Sequence, residues 1–388
     1  MTPSMTIRTL AAAVGLLAMG PLAGAAENLV YFGTYTGPRS QGIYVSRFDA
    51  TTGRLSKPEL AAATPSPSYL VVDPKARFLY AVNEVDAFQG EKAGSVTAFA
   101  VDAATGRLSR LSDASTKGTG PCHLSLDRTG RHLLVANYGG GSVAVLPVRE
   151  DGSVGPAVSF VQHTGHGADK ERQEAPHAHD AAVDPGNRFA IVADLGLDKL
   201  LVYGFDPGTG ALTPAPTAFV SSKPAAGPRH FDFHPNGRFV FSLNEMSLTL
   251  SSYLYDAARG TLAEVQTAST LPAGVDVTPK MSGAEVRVHP SGRFVYASNR
   301  GPDSVAVFSV DPDKGTFRLV EVVPTGGKTP RNFTIDPTGA FLLAANQDSD
   351  SVVVFKIDPA SGRLARTGTS VTVGTPVCVT FAPPHAAP

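Results

Sequence analysis

The sequence predicts an all-β fold: a seven-bladed β-propeller with four-stranded blades, the ring closed by a blade shared between the N- and C-termini. Three observations carry this. A turn of the type Asp-Pro-x-Gly-Arg recurs about every 50 residues, a period that marks propellers and solenoids. Between these turns apolar residues alternate over four to six positions, the pattern of half-buried strands. The first repeat lacks an opening strand, and the C-terminus supplies a spare one.

The elements follow in order. Arg8 gives a short positive start, Leu10 to Met19 is an uncharged apolar run, Pro21 breaks it, and Ala23-Gly24-Ala25 forms an A-x-A cleavage site. This is the layout of a secretory signal peptide, and the run is too short for a membrane span, which needs about 20 residues. Residues 1–25 are therefore expected to be a signal peptide and residues 26–388 one propeller domain, exported to the periplasm or outside. No later segment is apolar enough to span. Val30-Tyr31-Phe32-Gly33-Thr34 opens the chain's first repeat without a first strand. Six complete units follow, anchored at Asp73, Asp127, Asp184, His234, His289 and Asp336, with gaps of 54, 57, 50, 55 and 47 residues. In each turn Pro presets φ and Gly accepts positive φ. Strands such as Ser304-Val305-Ala306-Val307-Phe308 come third in a unit. A turn such as Asp102 to Leu108 leads to the fourth, and four strands make a blade. Thr375 to Phe381 supplies the missing first strand, which brings the count to seven and removes the exposed edges. Residues 26–388 then give about 52 residues per blade, in keeping with the period. Blade one is the shared blade, and blades two to seven follow in chain order.

Composition narrows the function. The 388 residues carry 33 Lys and Arg against 34 Asp and Glu, a net charge of −1. There is no basic excess for nucleic acid or anionic membrane, and no such partner is expected. The hydrophobic share of 42% is enough for a core. Gly (39) and Pro (31) are about 18% of the chain against an average of about 12%, which means many turns. Cys122 and Cys378 are the only cysteines, too few for a disulfide scaffold or a Cys-based zinc site. They fall on inner strands two blades apart and are expected to be buried free thiols.

Aligning the repeats places the unusual residues. Just before the core of each first strand lies a column of Ser68, Cys122, His179, Arg229, Ala284, Arg331 and Val377. The next column holds Tyr69, His123, Asp180, His230, Glu285, Asn332 and Cys378. Ten residues after each turn anchor come Asn83, Asn137, Asp194, Asn244, Asn299 and Asn346, followed by Glu84, Tyr138, Leu195, Glu245, Arg300 and Gln347. First strands line the axis and second strands run back antiparallel. These columns therefore converge on one mouth of the channel, which receives His123, His179, Arg229, His230, Glu245, Glu285, Arg300 and Arg331. The opposite mouth is expected to receive only structural turns. A repeated Asn at a strand end satisfies turn backbone. His, Arg and Glu types that differ from blade to blade are what a small-molecule site on a symmetric scaffold needs.

One connection is unusual. Residues 162–180, between blades three and four, hold His163, His166, His177 and His179 and enter the functional mouth. A long polar loop there is expected to contact ligand. His177 and His179 fall on one face, but no Asp-rich calcium loop or His-Glu-x-x-His accompanies them, so no metal is assigned. Gly139-Gly140-Gly141 is a hairpin without phosphate-loop context, and no Gly-x-Ser-x-Gly elbow occurs.

At this point the chain resembles a family, the seven-bladed β-propeller lactonases of the 6-phosphogluconolactonase-like group, which also includes a fungal carboxymuconate-lactonising enzyme. The resemblance covers essentially residues 26–388. It is carried by Gly227-Pro228-Arg229-His230-Phe231-Asp232-Phe233-His234-Pro235, by Arg172-Gln173 with Pro176-His177-Ala178-His179, by His289 to Arg300, and by Thr329 to Gly339. It implies a lactonase without metal or other cofactor, using His, Arg and Glu in a cleft at one face. The signal peptide departs from this, because phosphogluconolactone is a cytosolic intermediate.

The expected activity is hydrolysis of a sugar lactone to its aldonic acid by base-activated water, with Glu285 or His230 as general base. Arg229 and Arg331 would hold a carboxylate, phosphate or oxyanion through their planar forks. Arg172, His123, His177, His179, Asn244, Glu245 and Arg300 would line the pocket and bind the substrate. The expected partner is the small-molecule lactone, with the protein a monomer. Two alternatives use the same mouth: an exported propeller that binds without turnover, and an isomerase of the muconate-lactonising type.

Overall fold

The computed structural model describes residue 1 and residues 27–383; the expected signal peptide lies outside the described residues, except for Met1. Seven antiparallel sheets radiate around a central channel, six of four strands and one of five. Two short 3-10 turns, Leu195–Leu197 and Gln347–Ser349, are the only helical elements among the described residues. No helix there is long and apolar enough to cross a membrane.

The closing blade forms as the termini require. Pro376–Phe381 pairs antiparallel with Asn28–Thr34, in the register Val30↔Phe381 through Gly33↔Cys378. The remaining inner strands are Leu70–Val72, Pro121–Leu126, Ala178–Val183, Pro228–Phe233, Ser282–Val288 and Pro330–Ile335.

Turn chemistry fixes each inner hairpin. In blade four the Asp184 carboxylate accepts from the amides of Arg188 (2.7 Å), Phe189 (2.8 Å) and Gly186 (3.1 Å), so one side chain satisfies the turn backbone. Where His replaces Asp, Nδ1 accepts one turn amide (Asn236 at 3.2 Å, Ser291 at 3.1 Å) and the ring also reaches outward. His234 Nε2 donates to the Gly292 carbonyl at 2.8 Å and His289 Nε2 to that of Gly339 at 2.8 Å, each in the following blade.

The core sits between blades rather than within them. One cluster joins Phe239, Phe241 and Leu243 of blade five to Val295, Phe308 and Phe317 of blade six, and the same interface repeats around the ring. A turn closes each seam. Gly315 has φ +69°, and a Cβ there would lie 2.3 Å from the Phe239 ring, so only glycine lets the turn of blade six rest on blade five. Gly260 meets Phe189, and Gly362 meets Phe294, in the same way.

One further feature aims the site. Six inner strands carry a register shift near their start. Pro228 pairs with Asn244 and His230 with Leu243, which leaves Arg229 as an extra residue. Cys122, His179, Arg331 and Val377 are extra in the same sense. A β-bulge of this kind turns a side chain that would otherwise face the blade interior toward the channel.

Candidate active site

The channel is divided into layers because inner-strand side chains alternate. Three of the bulge residues, Cys122, His179 and Arg331, and residues at the ends of second strands surround an upper chamber of about 260 Å3. One residue further along, Tyr69, His123, Asp180, His230, Glu285, Asn332 and Cys378 form a middle layer. Two residues beyond those, Val71, Ser125, Ala182, Asp232, Arg287, Thr334 and Thr380 surround a lower chamber of about 400 Å3. The two chambers share no lining residue.

The upper chamber is lined by Arg172, Arg300, Arg331, His179 and Glu245, together with Tyr35, Glu84, Cys122 and Tyr138. Glu245 is its electrostatic centre. Its Oε1 lies 2.7 Å from Arg172 Nη2, and its Oε2 lies 3.0 Å from both Arg229 Nε and Arg300 Nη2. Burial works against the carboxylate charge, but Arg300, Arg229, His179 and Arg172 outweigh it and hold Glu245 well below the usual carboxylate range. It is a permanent anion and a poor proton acceptor. Arg229, 1% exposed, sits behind it and donates to the Ala284 carbonyl, so it touches the carboxylate rather than the chamber.

Arg331 differs. It has no carboxylate within ion-pair distance among the described residues. Its guanidinium lies over the Tyr35 ring, 5.3 Å from the centroid, and the Tyr35 hydroxyl donates to Glu84 at 3.0 Å. The chamber thus holds a free guanidinium. Three lining arginines face two glutamates, a balance that favours an anionic ligand or transition state.

His179 is the imidazole of this chamber. Burial, then Arg229 and His230, push it well below the ordinary histidine range, so it is neutral at neutral pH. It packs edge-on to Tyr138 (5.4 Å between centroids) and to His230 (5.0 Å). Cys122 is no nucleophile here, because burial pushes its thiol far up.

Beneath lies the middle layer. Glu285 Oε1 is 3.0 Å from His230 Nδ1, and its Oε2 accepts from Asn332 Nδ2 and stands 3.5 Å from Arg287 Nη2. Burial raises the Glu285 carboxyl against the pull of Arg287 and Arg229. Burial and Arg229 lower His230. His230 Nε2 lies 3.4 Å from Arg229 Nη1, a group that can only donate, so the geometry fits an Nδ1–H tautomer directed at Glu285. Both residues are below the chamber floor. His123 is also in this layer, 3.1 Å from Asp180 and 4.2 Å centroid to centroid from Tyr69.

Several expected contacts therefore lie elsewhere. Asn244 faces the blade interior and donates to Thr249 (2.9 Å) and Ser251 (3.0 Å), which makes it a structural asparagine like its counterparts. His177 stacks on Tyr138 at 4.6 Å and bonds that residue's carbonyl at 3.1 Å; it positions the tyrosine. His163 is buried, 2.6 Å from Asp194. The loop itself is held: Gln173 Nε2 donates to the Leu195 carbonyl at 2.8 Å, and its Oε1 accepts from the amides of Ala168 and Asp169. Loop and blades approach so closely that a Cβ at Gly141 would fall 2.3 Å from the Pro176 carbonyl. No three or more His, Cys, Asp or Glu side chains are grouped to hold a metal ion among the described residues. Both cysteines are free and buried. The opposite half of the channel corrects the expectation of turns alone, since Arg287, Asp232 and Tyr69 line it.

Glu84 and Tyr138 stand in the same column as Glu245 and Arg300, so their position was available in the sequence. Tyr35 follows Thr34, which ends the second strand of the closing blade. That blade has no internal Asp-Pro anchor from which to count.

The family described as "Lactonase, 7-bladed beta-propeller" matches residues 29–381. A 6-phosphogluconolactonase of Bacillus subtilis is 39% identical over 351 residues, covering 90% of this chain and 97% of its own. A 6-phosphogluconolactonase of Formosa agariphila is 31% identical, covering 79% and 86%. Among solved structures, the periplasmic gluconolactonase of Pseudomonas aeruginosa superimposes with a TM-score of 0.84 at 38% identity, over 92% of this chain and 99% of that one.

Proposed function

The chain belongs to the seven-bladed β-propeller lactonase family, and from that premise we propose that it hydrolyses a sugar lactone to the aldonic acid in the upper chamber, without a metal ion. The observation that carries this is the pairing, in one small polar chamber, of the unpaired Arg331 guanidinium with the unprotonated His179 imidazole. Arg331 donates to the lactone carbonyl oxygen and stabilises the negative charge that develops on it. His179 takes a proton from water as its oxygen bonds to the carbonyl carbon. The tetrahedral intermediate collapses with cleavage of the ring C–O bond, and the proton on His179 passes to the departing ring oxygen. The products are a carboxylic acid, which ionises, and a hydroxyl.

Glu245 stays ionised and fixes Arg172 and Arg300 around the ring hydroxyls. His230, backed by Glu285, supports His179 from below, so these two are positioning residues in this reading. Export is part of the proposal. It is supported by the N-terminal signal pattern and by the periplasmic description of the Pseudomonas relative. An exported enzyme would meet unphosphorylated gluconolactone rather than its phosphate.

The test follows acid release from glucono-δ-lactone and from its 6-phosphate above the spontaneous rate, with and without a chelator. Chelator-resistant acceleration is expected, greater for the unphosphorylated lactone. Absence of acceleration with either lactone would overturn the hydrolase reading, and loss on chelation would overturn its metal independence.

A further inference from the structure

The lower chamber takes no part in the reaction above, yet it is the larger space on the axis. We propose that it is a second binding site, for a neutral polyhydroxylated ring of monosaccharide size entering from the face opposite the reaction chamber. Its volume of about 400 Å3 falls in the range of about 300–1,000 Å3 typical of small-ligand sites.

The chemistry of its walls selects the ligand. Thr334 and Thr380, which carry hydroxyls, line the same space as the apolar Phe233 and Ile335. That mixture suits a sugar, which shows C–H faces and hydroxyl edges. The wall carries two arginines, Arg287 and the exposed Arg128, whose Nε donates to the Asp184 carbonyl at 3.5 Å, against the carboxyl groups of Asp232 and, just behind the wall, Glu285. Arg287, whose Nη2 donates to the Tyr69 hydroxyl at 2.7 Å, has Glu285 3.5 Å behind it and Asp232 beside it on the chamber wall. Burial raises Asp180 to about 8, so this acid is largely protonated at neutral pH. Two arginines and two carboxyl groups thus offset each other in number and leave little net charge to select an anion or a cation, whereas the upper chamber sets three arginines against two glutamates. The middle layer of Tyr69, His123 and His230, in contact ring to ring, separates the two spaces. A ligand below therefore does not compete with one above.

Binding of D-glucose and myo-inositol, with sodium gluconate as the anionic comparison, is measured by saturation-transfer NMR and calorimetry on the wild-type chain. The same titrations use Ala182→Phe, which fills the lower chamber, Thr334→Val, which removes one hydroxyl, and Arg331→Ala in the upper chamber. Circular dichroism checks that each variant is folded. Saturable binding of a neutral ligand is expected, lost in Ala182→Phe, weakened in Thr334→Val by about tenfold (one hydrogen bond, about 1.4 kcal/mol) and kept in Arg331→Ala. Thr334→Val keeps the test open should Ala182→Phe fail to fold. Binding that disappears with Arg331→Ala and survives Thr334→Val would place the ligand above and overturn the proposal. No saturable binding of a neutral ligand up to tens of millimolar, or a preference for gluconate that persists in Arg331→Ala, would also overturn it.

Discussion

Two arginines in equivalent positions have opposite fates. Arg229 and Arg331 are both bulge residues, but Arg229 is spent on Glu245 at 3.0 Å while Arg331 meets only the Tyr35 ring. Removing Arg331 should therefore affect the reaction rather than the fold. Arg331→Ala is expected to lower kcat by about 10²–10³-fold, the cost of losing an oxyanion donor, with a melting temperature close to wild type. Arg331→Lys should recover part of this, as a point charge without the fork. Steady-state kinetics and thermal denaturation check both. The depressed pKa of His179 has a signed consequence for pH dependence. Protonation removes the base, so kcat/KM should stay level through neutral pH and fall only well below pH 6.5. An acid limb at or above 6.5 in the pH–rate profile would contradict the assignment. Asp180 provides a stability test. Its carboxyl ionises near 3.9 in the unfolded chain and at about 8 in the folded one. Its contribution is complete below the unfolded value and is lost as pH rises to about 8. Asp180→Asn lacks this loss, so denaturant unfolding should show the variant gaining on wild type between pH 5 and pH 8; parallel curves would refute it.

At the scale of strands and turns, the bulge and the seam glycine do the shaping. Gly315→Ala puts a Cβ against Phe239 and forces a left-handed backbone on alanine. It should destabilise the protein by about 1–3 kcal/mol, read from urea midpoints, with kinetics unchanged because the seam is far from the channel. The sequence was informative about these elements unevenly. The Asp-Pro turns and alternating strands were legible because local chemistry dictates them. The columns were legible too, and they found His179, Glu245, Arg300 and Arg331 at the chamber wall, while Arg172 came from the loop motif that carries the family resemblance. Depth along the channel was not. His230 and Glu285 follow the bulge by one residue, and that single step drops them below the floor. Nor could a column show that Glu245 would engage Arg229, since the pairing depends on the bulge that turns Arg229 beside the end of the neighbouring strand of its own blade. Asn244 was misassigned to the ligand because an asparagine at a strand end reads the same whether it bonds Thr249 or a substrate hydroxyl.

For the whole molecule, the terminal strand closes the ring. Pro376–Phe381 completes the sheet of Asn28–Thr34, and Asn332 Oδ1 accepts from the Val379 amide at 2.9 Å to tie it to blade seven. Ending the chain before Thr375 would expose two sheet edges and open the interface with Phe341 and Val354. Such a truncation is expected to lose cooperative unfolding and to aggregate, visible by size exclusion and circular dichroism. Seven blades were countable from sequence because the N-terminal repeat lacks a first strand and the C-terminus has one to spare. The division of the channel into two chambers was not, because it arises from packing Tyr69, His123 and His230, residues far apart in the chain, onto one axis.

The most direct test compares His179→Gln with Glu285→Gln in single-turnover hydrolysis of glucono-δ-lactone, both variants shown to be folded. If His179 is the base and Glu285 only positions His230 beneath it, His179→Gln should lose about 10²–10⁴-fold in rate and Glu285→Gln about tenfold or less. A full loss in Glu285→Gln with near wild-type turnover in His179→Gln would contradict the account and move the chemistry down into the middle layer.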